Sequence, residues 1–206
     1  MKQAWELFHD ARIQLSPEGQ QLLRADLAVE TCFELLLEQG CYADARRLLA
    51  QALPRRRGLW WGLVCARDYY QAACPPRVTD VLDIVDDHVK TRSEESRRRA
   101  EEVGMGHAPD DLTGCLALAV FFSGDSISAP DLPTIAPKPY VAGRFVEVAV
   151  YLAAVLKDPL CYKDHLRRYL QLGCEMLHAN DPWLNVERPD VPTSTANTLI
   201  CTGGVV

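Results

Sequence analysis

The sequence predicts an all-α fold of stacked antiparallel helical hairpins, about eight helices in number, and three observations predict it. Apolar residues recur at three- and four-residue spacing through most of the chain. Proline, glycine and serine stand where those runs begin or stop. The one run read as strand-forming lies at the C-terminal end. At 206 residues the chain suits one hydrophobic core better than two. The expected organisation is a helical domain over residues 1–180 and an extended tail over 181–206.

The first helix is read from Lys2 to Leu15, with Trp5, Leu7, Phe8 and Ile13 apolar. Ser16-Pro17 then signals a helix start, serine as N-cap and proline at the first helical position. Leu22, Leu23, Leu27, Cys32, Leu35 and Leu36 carry the periodicity on to Gly40, a C-terminal cap. A helix from Tyr42 to Leu53 stops at Pro54 and completes an αα-hairpin that resembles a tetratricopeptide unit, although no repeat period recurs downstream.

The helix from Leu59 to Gln71 holds Trp60, Trp61, Leu63, Val64, Tyr69 and Tyr70 and reads as the central core helix, stopped by Cys74-Pro75-Pro76. Val78 to Lys90 combines an apolar face with Asp80, Asp83, Asp86 and Asp87. Ser93 to Val103 is almost wholly charged, its glutamates early and its arginines later, and reads as a solvated surface helix. The helix that starts at Asp110 or Asp111 is apolar all round, so it should be buried. Four prolines between Asp125 and Pro139 require an extended surface loop. Two last helices follow, Tyr140 to Lys157 and Pro159 to Ala179.

The net charge of −6 disfavours a general nucleic-acid binder, which needs surplus lysine and arginine. No apolar stretch is long enough for a membrane span, and the N-terminus lacks the apolar core of a secretory signal. A cytoplasmic location is expected. The eight cysteines are scattered within apolar runs, as in reduced intracellular proteins.

Candidate chemistry is sparse. Neither Cys-x-x-Cys nor His-Glu-x-x-His occurs, so no metal and no cofactor are expected. Asp83, Asp86, Asp87 and His88 could supply ligands from one helix side, or form a solvated acidic face. Cys161 and His165, at i and i+4, are the best thiol–imidazole pair, although no activating surroundings are legible. Trp60 and Trp61 diverge by about 100° on a helix, which leaves open that one of them faces a partner. Trp61, with Arg67 available to stack on an aromatic face, is therefore a candidate partner-binding residue, the alternative being that both tryptophans pack inside. In the tail, Leu199, Ile200, Cys201, Thr202 and Gly203 form a candidate strand that could add to a partner or to a second copy, against the alternative of an unpacked terminus.

From Trp60 to about Leu177 the chain resembles an uncharacterised bacterial α-helical family whose members keep a WW-x(3)-CAR helix, a charged helix and an FFSGGS-like turn before a proline-rich loop. The matching residues are Trp60, Trp61, Cys65, Ala66 and Arg67, then Phe121, Phe122, Ser123, Gly124 and Ser126, with Asp125 in place of the second glycine. The resemblance implies a setting among type VI secretion clusters, near PAAR-like spike-tip and effector-loading proteins. It implies a non-catalytic adaptor or chaperone-like accessory protein whose partner is a secretion effector or a PAAR-like spike component. A small thiol-dependent hydrolase and a structural scaffold subunit are the alternatives, and a homo-oligomer is possible under any of these readings.

Overall fold

The computed structural model describes residues 3–71, 74–106, 111–129 and 131–178. The tail predicted over 181–206 lies outside them. Ten helices occur among the described residues: α1 (Ala4–Asp10), α2 (Pro17–Leu22), α3 (Val29–Glu38), α4 (Tyr42–Ala52), α5 (Arg55–Tyr70), α6 (Pro76–Thr91), α7 (Glu94–Met105), α8 (Leu112–Phe121), α9 (Val141–Lys157) and α10 (Tyr162–His178). The fold is all-α, and most consecutive helices from α3 onward pack on each other as hairpins.

The predicted helix from Ser16 to Gly40 is two helices. Ser16 caps α2, its Oγ accepting from the Gly19 amide at 3.0 Å, as its sequence position requires. Leu23 then turns extended and ends the helix. The chain loops so that the Leu27 carbonyl accepts the Ala4 amide at 3.1 Å and Ala28 bridges Gln3. Docking buried Leu27 against α1 takes the place of local helix continuation.

Helix α5 begins at Arg55, four residues before the predicted start, directly after Pro54. It lies at the centre, packed on α6, α8, α9 and α10. Gly62 lets α8 approach: a Cβ there would stand 2.6 Å from Leu116 Cδ2. Helix α8 is buried along almost its whole length, as its all-round apolarity predicted.

The charged helix α7 departs from the solvated reading. Ser96, Arg97, Ala100 and Gly104 are buried in a stripe against α8. Small residues at Ala100 and Gly104 admit the close contact, and a Cβ on Gly104 would meet Leu118 at 3.0 Å. Arg97 goes inside because its charge is matched: Glu94 accepts from its guanidinium and the Phe121 carbonyl accepts at 3.0 Å. The loop after α8 clips back on itself, the Ile127 amide donating to the Ile135 carbonyl at 2.8 Å. Arg98 pins it by donating to the Ser128 carbonyl.

Candidate functional site

Where the N-terminus of α5, the C-terminus of α6, the start of α7 and the end of α8 converge, they enclose an open cleft of about 910 Å³. Its position follows from helix-end chemistry. The last carbonyls of a helix lack intrahelical donors, and arginines supply them here. Arg56 donates to the Val89 carbonyl and, at 2.9 Å, to the Lys90 carbonyl, closing α6. Arg97 donates to the Phe121 carbonyl and Arg55 to the Ser123 carbonyl, closing α8. Arg55 and Arg56, from the run Arg55-Arg56-Arg57, and Arg97, from the run Arg97-Arg98-Arg99, thus meet at one place.

The floor is neutral and polar. His88, 7% exposed, places Nδ1 3.0 Å from Ser96 Oγ and Nε2 3.2 Å from Ser123 Oγ. Ser96 Oγ donates to the Ser93 carbonyl and accepts from Ser93 Oγ. With its one proton so used, Ser96 Oγ can only accept from the ring, and Ser123 Oγ, which donates to the Val120 carbonyl at 2.7 Å, is in the same position, so the single imidazole N–H donates to one of these two hydroxyl oxygens. Burial and the neighbouring Arg97 guanidinium hold His88 below its ordinary pKa, against the pull of the Ser93 carbonyl, Asp87 and Glu94, so it is neutral at pH 7. His88 was legible only as a member of an acidic helix face. Its link to Ser123 crosses 35 residues of sequence and left no local signal.

The residues singled out from sequence lie elsewhere. Trp61 is 0% exposed and its Nε1 donates to the Tyr169 carbonyl at 2.7 Å. It belongs to the core and offers no surface to a partner; Trp60 is buried as well. The physical reason is that α5 is surrounded by helices, so both diverging indoles find apolar walls. Arg67 pairs with Asp86 at 3.2 Å, between α5 and α6. Leu199, Ile200, Cys201, Thr202 and Gly203 fall outside the described residues. The Leu160 amide, the Cys161 amide and the Cys161 thiol all donate to the Asp158 carboxylate and hold that carboxyl below its ordinary pKa. No group of three or more potential metal ligands occurs among the described residues.

A second surface stands out on α9. Val148, Tyr151 and Val155 share one face by helical spacing, and Val148 and Tyr151 are exposed. Leu156, on another side of α9, and Leu160, in the turn before α10, are also exposed, Leu160 at 92%. The Tyr151 ring is fixed from both sides, by the Arg46 guanidinium 4.6 Å from its centroid and by Tyr162 edge-on.

No helix among the described residues is long and apolar enough to cross a membrane. A family model described as a family of unknown function (DUF6931) matches residues 32–177, from α3 into α10, which takes in the cleft and the α9 face. No curated protein and no solved structure matches the chain.

Proposed function

The chain belongs to this family of unknown function, and from that premise we propose that it is an adaptor or chaperone-like accessory protein that binds an amphipathic helical segment of a type VI secretion effector or spike-tip component. The observation that carries the reading is the apolar face of α9. Single exposed apolar side chains are ordinary, whereas Val148, Tyr151 and Val155 repeat at three and four residues along one helix. That spacing suits the apolar face of a second helix. Tyr151 is held in place by Arg46 and Tyr162, so it loses little freedom on binding. The secretion setting comes from the resemblance of the WW-x(3)-CAR and FFSGDS segments. The C-terminal strand at Leu199 to Gly203 is the second contact of the same proposal.

The test is co-expression with each effector and spike-tip protein encoded beside the gene. Specific co-purification that is lost in Val148→Asp/Tyr151→Asp, with thermal unfolding unchanged, supports the reading. Removal of residues 183–206 tests the tail separately. Capture of the same partner by both the double variant and the truncation overturns the proposed contacts, and capture of none of these proteins by the intact chain overturns the secretion role.

A further inference from the structure

We propose that the cleft between the ends of α5, α6 and α8 is a binding site for a phosphate dianion, a role that goes beyond the adaptor reading and does not rest on it. In a chain of net charge −6, this cleft is lined by Arg55, Arg56, Arg92 and Arg97 against only Glu94 and Asp125. Arg97 and Glu94 are paired to each other. Arg55 and Arg92 therefore stand against one carboxylate.

Arg92 is the most telling of them. It sits just past α6 at φ 54°, in the left-handed region, where a side chain is strained and glycine is at ease. Arginine stands there at a cost in stability. Its exposed guanidinium makes no hydrogen bond or ion pair with any other described residue. A strained backbone position held by an unspent charge at the mouth of a cleft is the pattern expected where stability is given up for binding.

The remaining chemistry suits a phosphate. Arg55 has donated one N–H to the Ser123 carbonyl and keeps the rest of its fork for an oxyanion, whose planar, bidentate recognition is what guanidinium does best. Two such forks from separate elements match a doubly charged tetrahedral group better than a singly charged planar carboxylate. The Ser123 hydroxyl and neutral His88 give the floor polar groups without adding a competing negative charge. The cleft is large enough for a phosphate carried on a small organic group as well as for the free ion.

The experiment is an NMR titration of the full chain at constant ionic strength, following backbone amides, with inorganic phosphate, phenyl phosphate and acetate as probes. Saturable shifts at Arg92, Gly124 and Asp125 with either phosphate probe are expected, and the tighter of the two identifies the source as the free ion or an ester. Arg55→Ala and Arg92→Gly should each weaken binding about tenfold. Arg92→Gly should also raise the melting temperature by a few degrees, which separates loss of the site from loss of the fold. Arg77→Ala, on the exposed start of α6, should change nothing. Unsaturable shifts, acetate bound as tightly as phosphate, or unchanged affinity in the Arg55→Ala/Arg92→Gly double variant would overturn the proposal.

Discussion

His88 Nε2 on α6 lies 3.2 Å from Ser123 Oγ at the end of α8, while Nδ1 of the same ring reaches Ser96 on α7 at 3.0 Å. One buried imidazole therefore joins three helix ends. Its folded pKa lies below its unfolded value near 6.5, through burial first and the Arg97 charge next. Above about pH 6.5 both states hold it neutral and its contribution is complete. As pH falls through that value the unfolded chain takes up a proton that the folded chain resists, so stability is lost. His165 on α10 is lowered by burial and by Lys157 and Arg168, and it acts in the same direction. The difference between wild type and His88→Gln isolates the first ring: urea unfolding at pH 7.5 and pH 5.5 should show a smaller loss in the variant. An equal loss would remove His88 from the account.

Much of this architecture is legible along the chain, and the exceptions share a cause. Ser16-Pro17 marks the start of α2 because capping is local, and α8 declares its burial through apolarity on every side. The break between α2 and α3 is different in kind: the Leu27 carbonyl is claimed by Ala4, a partner more than twenty residues away. Arg97 is likewise indistinguishable from Arg98 and Arg99 by composition. The spacing of Ser96, Ala100 and Gly104 at i, i+4 and i+8 was the available sign that one side of α7 packs closely. The cleft depends on helix ends that meet only in three dimensions, so Arg55, Arg92 and Ser123 could not be assembled from sequence.

Asp68, 9% exposed, is the ionic centre of the core. It accepts from Lys157 Nζ on α9 and Tyr169 Oη on α10, each at 2.6 Å, and from Arg168. Burial alone would raise its pKa; the hydrogen bonds from Lys157 and Tyr169 and the charge of Arg168 bring it below the usual carboxylate value. Asp68→Asn strands two cations beside a neutral amide and should cost about 3 kcal/mol, the lower end for a broken buried pair because Arg168 stays partly wet. The stability that Asp68 supplies is complete above about pH 4 and falls as acid protonates it. Denaturant unfolding at pH 7 and pH 3 should therefore show a wild-type to variant gap that narrows in acid.

Three cysteines, Cys32, Cys65 and Cys115, should be inert in the folded chain. None of the seven described cysteines forms a disulfide with another described residue. Burial, with Asp44 nearby, pushes Cys32 up to about 11, and burial raises Cys65 well above its ordinary value. Cys115 is equally inaccessible. A disulfide reagent at pH 7.5 should leave these three unmodified in native protein and titrate all eight after denaturation. Rapid native modification of Cys65 would contradict the packing of α5.

Gly173 on α10 packs directly against Trp61 on α5. A Cβ on Gly173 would stand 2.6 Å from Leu49 Cδ2 and 2.7 Å from Trp61 Cε2. The indole cannot retreat, since its Nε1 is tethered to the Tyr169 carbonyl at 2.7 Å. Helix propensity alone favours alanine over glycine by about 1 kcal/mol. Overpacking opposes it by about 1–3 kcal/mol, and with a rigid aromatic as the neighbour the larger part of that range applies. Gly173→Ala should thus destabilise the fold by about 1–2 kcal/mol net of propensity. Trp61→Phe removes both the tether and part of the volume and should cost about 2 kcal/mol. In the Gly173→Ala/Trp61→Phe double variant the smaller ring leaves room for the methyl, so the two costs should add to less than their sum. Chemical denaturation of the four proteins measures the coupling, and strict additivity would show that the methyl and the indole do not meet.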